Sequence, residues 1–256
     1  MRIALLFDIH ANLPALRAVL QALQSEGSDA VCHGGDLVGW GPQPNEVVAL
    51  IAERNLPGVA GNHELLCLGA FTEDQPLRNE STRWTAERLS AESRAFLAHL
   101  PPRLARDEFL LSHANPSAWH DPPDADCFPY LRSAAALIRE GDLLRTASGG
   151  LIVTGHVHEA AVYLAHLGGL ALERRALTPS DARLDVAVPP GGSAFVVAGA
   201  VGKPRDGVAA ANFVVLDSES RTISLRRVSY DVDAACALLR QTALPAVLAE
   251  ELGNGR

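Results

Sequence analysis

The polar clusters Asp8-Ile9-His10, Gly35-Asp36, Gly61-Asn62-His63-Glu64, His113 and Gly155-His156-Val157-His158 are the parts of this chain that could do chemistry. Between them they offer seven candidate ligands for two metal ions: Asp8, His10, Asp36, Asn62, His113, His156 and His158. The donors are carboxylate, imidazole and amide oxygen, with no thiolate. Such a mixed N/O set suits Mn, Fe or Zn, whereas thiolates select Cu(I) or iron–sulfur clusters. Two such ions a few ångströms apart activate a water and clamp a phosphate, so the expected chemistry is hydrolysis of a phosphate ester.

Each cluster also has an ordinary explanation. Asp-x-His after a strand can be a cap and a surface histidine; Gly-Asp is common in turns; Asn-His is unremarkable. His-x-His is more telling, because alternate residues of an extended segment present both imidazoles on one side. Together the clusters gather five of the nine histidines, each after an apolar run. Glycines precede Asp36, Asn62 and His156, where they let the backbone turn sharply and leave room for a ligand.

The elements that must position these residues are legible from periodicity. Residues 3–7 form a continuous apolar run, and residues 13–24 carry apolar side chains at helical spacing, with Asn12 as N-cap and Pro14 in the first turn. Residues 30–33 predict a second strand, 45–55 a helix and 59–60 a brief third strand. Strand–helix–strand alternation implies a parallel sheet with right-handed crossovers. Asp8, Asp36 and Asn62 each follow a strand, and open α/β sheets bind ligands at the carboxyl ends of their strands. Three distant loops should therefore meet at one edge. Residues 79–100 predict a helix broken near Ser90, residues 109–112 a strand delivering His113, and 151–154 a strand leading to Gly155. The proline-rich stretch 115–129 reads as a lid or rim. Short strands over about 160–230, with turn signals such as Gly168-Gly169, suggest a second sheet packed on the first. Residues 232–252 predict helices broken at Pro245, with a frayed end after them. No linker divides the chain, so residues 1–256 are expected to form one domain.

Composition narrows the function classes. The chain has 256 residues, of which 48% are hydrophobic, and a net charge of −8. No apolar run could cross a bilayer, and the start of the chain lacks the pattern of a signal peptide, which predicts a cytoplasmic protein with no membrane partner. Lys203 is the only lysine and no basic stripe stands out, so nucleic-acid binding is not expected. The four scattered cysteines read as free, buried thiols.

The five clusters resemble the full signature of the calcineurin-like metallophosphoesterases, over residues 3–158. Residues 35–42 and 199–207 further resemble a compact bacterial branch described as phosphodiesterases or phosphatases, some acting on dinucleoside polyphosphates. The resemblance implies an α/β fold of two stacked mixed β-sheets flanked by helices. It implies that Asp8, His10 and His158 hold one metal, that Asn62, His113 and His156 hold the other, and that Asp36 bridges them. His63, beside Asn62 but not a ligand, is then the candidate general acid, the alternative being a histidine that only orients a ligand. Arg205 is a candidate for holding substrate phosphate, against a structural Arg205–Asp206 turn. The branch usually has Ser and Gln where this chain has Ala200 and Lys203. His33 reads as a hydrogen-bonded strand histidine, His120 as a solvated loop residue, and Trp40 as pocket lining or core. The expected activity is two-metal hydrolysis of a small or nucleotide-like phosphodiester, most naturally with Mn. The alternatives are a dinucleoside polyphosphate hydrolase and a non-catalytic binding scaffold that keeps the fold; such a scaffold should have lost ligands, and this chain has lost none.

Overall fold

The computed structural model describes residues 1–133, 137, 147–165 and 172–256. The chain opens with β1 (Arg2–Leu6), α1 (Leu13–Glu26), β2 (Ala30–His33), α2 (Pro44–Glu53), α3 (Asn62–Leu68), α4 (Pro76–Arg88) and α5 (Ala91–Ala98). It continues through β3 (Arg103–Ala105), β4 (Leu110–Ser112), β5 (Leu151–Thr154), β6 (Ala161–Ala165), β7 (Leu172–Ala176), β8 (Arg183–Ala187) and β9 (Ser193–Val197). The last elements are β10 (Ala211–Asp217), β11 (Thr222–Val228), α6 (Val232–Arg240) and α7 (Val247–Gly253).

Two mixed sheets result, one in the order β2-β1-β10-β11-β8 and the other β3-β4-β5-β9-β6-β7. Only β1–β2 is parallel in the first; β4–β5 and β5–β9 are parallel in the second. β1 shows why the layers stack as they do, because both its faces are apolar. Ile3, Leu5 and Phe7 enter the core between the sheets, against residues such as Val153, Val162 and Val196. Ala4 and Leu6 face outward onto α1 and α2, where Leu16, Val19, Leu20, Val47 and Ile51 cover them. Burying each such side chain of α1 stabilises the fold by about 1.5–3 kcal/mol relative to exposure. Asn12 caps α1 by accepting a hydrogen bond from Ala15 N at 3.1 Å, and Ser90 caps α5 in the same way from Ser93 N.

The two stacked sheets agree with expectation, but the assignment of strands to them does not. The later strands do not make a sheet of their own: β8, β10 and β11 join β1, while β6, β7 and β9 join β5. Residues 59–60 form no strand; an isolated bridge between His33 and Gly58 stands in its place. Val59 N donates to His33 O and Ala60 N to Pro101 O, so this segment runs between two partners without pairing along either. Nor is the end of the chain frayed: Gly255 O accepts from Gly207 N, and Arg256 O accepts from Lys203 Nζ at 3.0 Å. All four cysteines are buried and free. Among the described residues, no helix is long and apolar enough to cross a membrane. The Gly168-Gly169 turn and His166 lie outside the described residues.

His33 departs from the sequence reading. It is fully buried, yet neither ring nitrogen has a hydrogen-bond partner among the described residues. Burial lowers its pKa from 6.5 to about 3. The unfolded chain therefore binds one more proton between those values, and stability falls as the pH drops through that window, by up to about 1.4 kcal/mol per pH unit. His33→Leu is expected to remove this slope. Urea unfolding at pH 7.5 and pH 5 should show a smaller acid loss in the variant than in the parent; equal losses would contradict the assignment.

Candidate metal centre

The exits of β1 and β2 are zipped together beyond the strands themselves. Asp8 N donates to Gly35 O, His10 N to Asp36 O and Ala11 N to Leu37 O. On the other sheet Gly155 N donates to His113 O, while Val201 N and Gly202 N donate to Phe7 O and Asp8 O. These bonds draw five loops into one buried nest at the edge where both sheets end.

The sharp turns are made by the ligands themselves. Asp8, His10, Asp36, His156 and His158 all have φ between 48° and 66°, a left-handed conformation that costs a non-glycine residue about 1–3 kcal/mol. Of the three glycines ahead of the clusters, only Gly35 shares it, at φ 87°. Gly61 is needed for closeness instead, since a Cβ there would lie 2.2 Å from Asp36 Oδ1. Strain concentrated at one set of polar side chains marks a place built for function rather than stability.

The donors fall into two groups: Asp8, His10, Asp36 and His158, and Asp36, His113 and His156. Within each group the ligand atoms lie within 4.8 Å of one another, every residue is buried, and Asp36 belongs to both. His10 Nδ1 lies 3.0 Å from Val38 O, His113 Nδ1 2.8 Å from Gly34 O and His158 Nδ1 2.5 Å from Lys203 O. A carbonyl can only accept, so each Nδ1 carries a proton; the neutral rings of His10 and His158 then present an Nε2 lone pair, and His113 does so once its second proton is lost. His10 Nε2 and His158 Nε2 nevertheless face each other at 3.2 Å. His158 Nε2 is 3.3 Å from Asp8 Oδ1, and His10 Nε2 is 3.6 Å from Asp36 Oδ2. His113 Nε2 meets Asn62 Oδ1 at 3.2 Å and Asp36 Oδ2 at 3.3 Å. His156 Nε2 is buried without a partner among the described residues. The lone pairs of His10 and His158 converge on each other and on Asp8 and Asp36, and this donor set fits a divalent metal.

Charge settings agree. Burial lowers the pKa of His10 to about 3 and those of His156 and His158 well below 6.5, so their lone pairs stay free. Burial also disfavours the His113 imidazolium, but Asp36 and Asp8 overcome it and raise its pKa to about 10. A proton on His113 must therefore leave for a metal ion to bind there, which makes affinity fall with acid. Burial pushes Asp8 up to about 6. Asp36 goes well below 3.8: burial opposes this, but His113 and His63 outweigh it.

All seven predicted ligands thus converge, with one difference in how. Asn62 does not follow a strand but is the first residue of α3. His63 adjoins the nest, its ring 4.9 Å from that of His10 and 5.3 Å from that of Trp40, with Nδ1 buried and unpartnered. Its backbone N donates to Asp36 Oδ1 at 2.9 Å, and burial keeps its pKa well below 6.5. Arg205 N donates to His158 O, and after burial the Arg205 charge is the next cause lowering the His158 pKa, so Arg205 stands at the rim. The structural tie weighed for this turn falls to Asp206, which accepts from Arg227 Nη2 at 2.7 Å and Asn212 Nδ2 at 3.1 Å. Lys203, where the branch has Gln, reaches Glu251 Oε2 at 2.6 Å and lies over Trp40. Trp40 combines the two fates considered for it, packing with α6 and α7 while lining a cavity beside His10. The 115–129 stretch does form a rim, with Phe128 packed 6.0 Å from His113 and 6.3 Å from His156. His120 pairs with Asp124 at 3.1 Å instead of touching the site.

Three residues escaped the sequence reading. Glu64 is fully buried and accepts from Asp36 N, Leu37 N, Val38 N and Gly61 N, fastening the Asp36 loop to α3. Its place three residues after Gly61, at the third helical position, is the one signal that could have found it. Tyr130 stacks on His156, with ring centroids 4.2 Å apart. Arg78, only 5% exposed, bonds Tyr130 Oη at 3.0 Å and ion-pairs with Glu73.

A nest of strand-exit loops carrying two His/Asp donor groups on an α/β double-sheet scaffold defines a metal-dependent phosphoesterase type of protein. The chain belongs to the calcineurin-like phosphoesterase family, whose model matches residues 1–160. It is 31% identical over 260 residues to the uncharacterized protein MJ0912 of Methanocaldococcus jannaschii, covering 99% of this chain and 98% of that one. The crystal structure of a metallophosphoesterase from Sphaerobacter thermophilus superposes with a TM-score of 0.82 at 28% identity, covering all of both chains. The hypothetical protein PH1004 of Pyrococcus horikoshii OT3 has the same fold, with a TM-score of 0.76 at 19% identity over 100% of this chain and 98% of that one.

Proposed function

We propose that this protein is a phosphodiesterase using two divalent metal ions, Mn first and Fe or Zn as alternatives, on small or nucleotide-like esters in the cytoplasm. The observation that carries this is Asp36, the one carboxylate common to both donor groups. Divalent ions bound there would supply the Lewis acidity that acidifies a water and neutralises charge on the phosphate. The chain's own residues do the rest. Asp36 is ionised throughout the working pH range and needs no base to make it so. His63, held at the edge of the nest by its bond to Asp36, is neutral but still has one ring N–H. Being neutral, it stabilises the leaving oxygen as a hydrogen-bond donor through that N–H, where charge develops, and does not transfer a proton itself. Arg205 holds a non-bridging oxygen from the rim. A non-catalytic scaffold should have lost candidate ligands, and this chain keeps all seven.

The test is a screen of phosphomonoesters, diesters and nucleotides after Mn reconstitution, with elemental analysis of the protein. Turnover of a model diester with about two metals per chain is the expected result; no turnover at full metal content would overturn it. His63→Ala should lower kcat by about 10²–10³, the cost of removing one transition-state hydrogen-bond donor, with metal content unchanged. An unchanged kcat would remove His63 from the chemistry.

A further inference from the structure

A cavity of about 340 Å³ opens beside His156, lined by Glu73, Asp74, Arg78, Phe128 and Tyr130 among others. Arg78 is its one buried cation. Nη1 faces Glu73 and Nη2 donates to Tyr130 Oη, while Nε is buried with no partner among the described residues. A guanidinium with an unsatisfied N–H in so enclosed a place is costly unless an acceptor arrives. Tyr130 Oη accepts from Arg78, which leaves its own hydrogen free to donate. His156 stacks on its ring at 4.2 Å and the Arg132 guanidinium lies over the ring at 4.7 Å, so the ring is already engaged by two neighbours. The cavity therefore offers the Arg78 and Tyr130 donors, beside the Glu73 and Asp74 carboxylates, rather than a stacking platform. Arg78 also stands close to the chemistry: its charge contributes, after burial and nearer charges, to lowering the pKa of both His63 and His156.

We propose that Arg78, with Tyr130, forms a subsite for a second anionic phosphoryl group, next to the one being hydrolysed. This deepens the phosphoesterase reading and rests on it, narrowing the substrate class to esters or anhydrides with adjacent phosphates. Glu73 holds the guanidinium in the absence of substrate and competes with the incoming anion. Arg78 is a specificity residue; the bonds that break lie at the metal nest.

The test measures binding of two non-reacting probes to the Mn-loaded protein by calorimetry: inorganic phosphate and methylenediphosphonate. Arg78→Met should weaken the diphosphonate about tenfold to a hundredfold, the worth of a charge-assisted hydrogen bond, and leave phosphate nearly unchanged. Glu73→Gln should tighten the diphosphonate, because it removes the competing carboxylate. A merely structural role for the ion pair would make both variants bind worse, and would move both probes together. Either result overturns the subsite, as does a wild-type preference of less than about threefold for the diphosphonate. If Arg78→Met fails to fold, Arg78→Lys, which keeps charge but not the fork, should give an intermediate loss. Hydrolysis of a neutral-armed diester by the wild type decides the phosphoesterase reading separately, so the two proposals fail independently.

Discussion

Asp36→Asn is expected to strip metal from the protein and to abolish turnover. Asp36 Oδ2 lies 3.6 Å from His10 Nε2 and 3.3 Å from His113 Nε2, and no other residue is shared by the two donor groups. The amide removes a negative charge from the centre of the nest and risks placing an N–H₂ among lone pairs. Loss of a partner one step removed from a metal already costs about 10–100-fold in affinity or activity. Loss of the shared carboxylate should exceed that, leaving less than about one hundredth of kcat/KM. Elemental analysis should find metal well below the parent's content. Full metal content with turnover within tenfold of the parent would show that Asp36 does not join the two groups.

Glu64→Ala is expected to be the most destabilising single change at the site, though Glu64 touches neither metal nor substrate. Its carboxylate receives Asp36 N and Gly61 N at 2.7 Å each, Leu37 N at 2.8 Å and Val38 N at 3.3 Å, in surroundings closed to solvent. Each buried N–H left unpaired costs about 1–3 kcal/mol. Several together amount to a large part of the roughly 5–15 kcal/mol that holds a domain folded. Urea unfolding should show a loss of at least about 3 kcal/mol, and the surviving protein should bind Mn more weakly because the Asp36 loop is no longer pinned to α3. Glu64→Gln has the same shape but turns an N–H₂ toward backbone donors, so it should also lose stability, by about 1–3 kcal/mol. A Glu64→Ala protein within about 1 kcal/mol of the parent would remove this role.

The residues that converge in the nest were readable because their signals are local. A donor type, a strand exit and a preceding glycine are written within a few positions, and His-x-His carries its own geometry. The same holds for α1, with its Asn12 cap and its 3.6-residue apolar spacing. The residues 59–60 were misjudged because two apolar residues between glycines satisfy a strand pattern, whereas pairing depends on what lies alongside. The division of the later strands between sheets was unreadable for the same reason: β10 pairs with β1 across more than two hundred positions, and nothing in either segment names the other.

By itself, then, the sequence determined which polar clusters follow which apolar runs and which family the chain belongs to, since these follow from side-chain chemistry and short-range periodicity. Tertiary structure alone decided which backbone donors Glu64 would satisfy, that Arg78 and Tyr130 would wall a cavity beside His156, and that Lys203 would tie down the chain's end. It also decided that five ligands would take the left-handed backbone region. Those outcomes depend on which distant groups are brought within a few ångströms once both sheets close over one core, and that distance is a property of the packed chain.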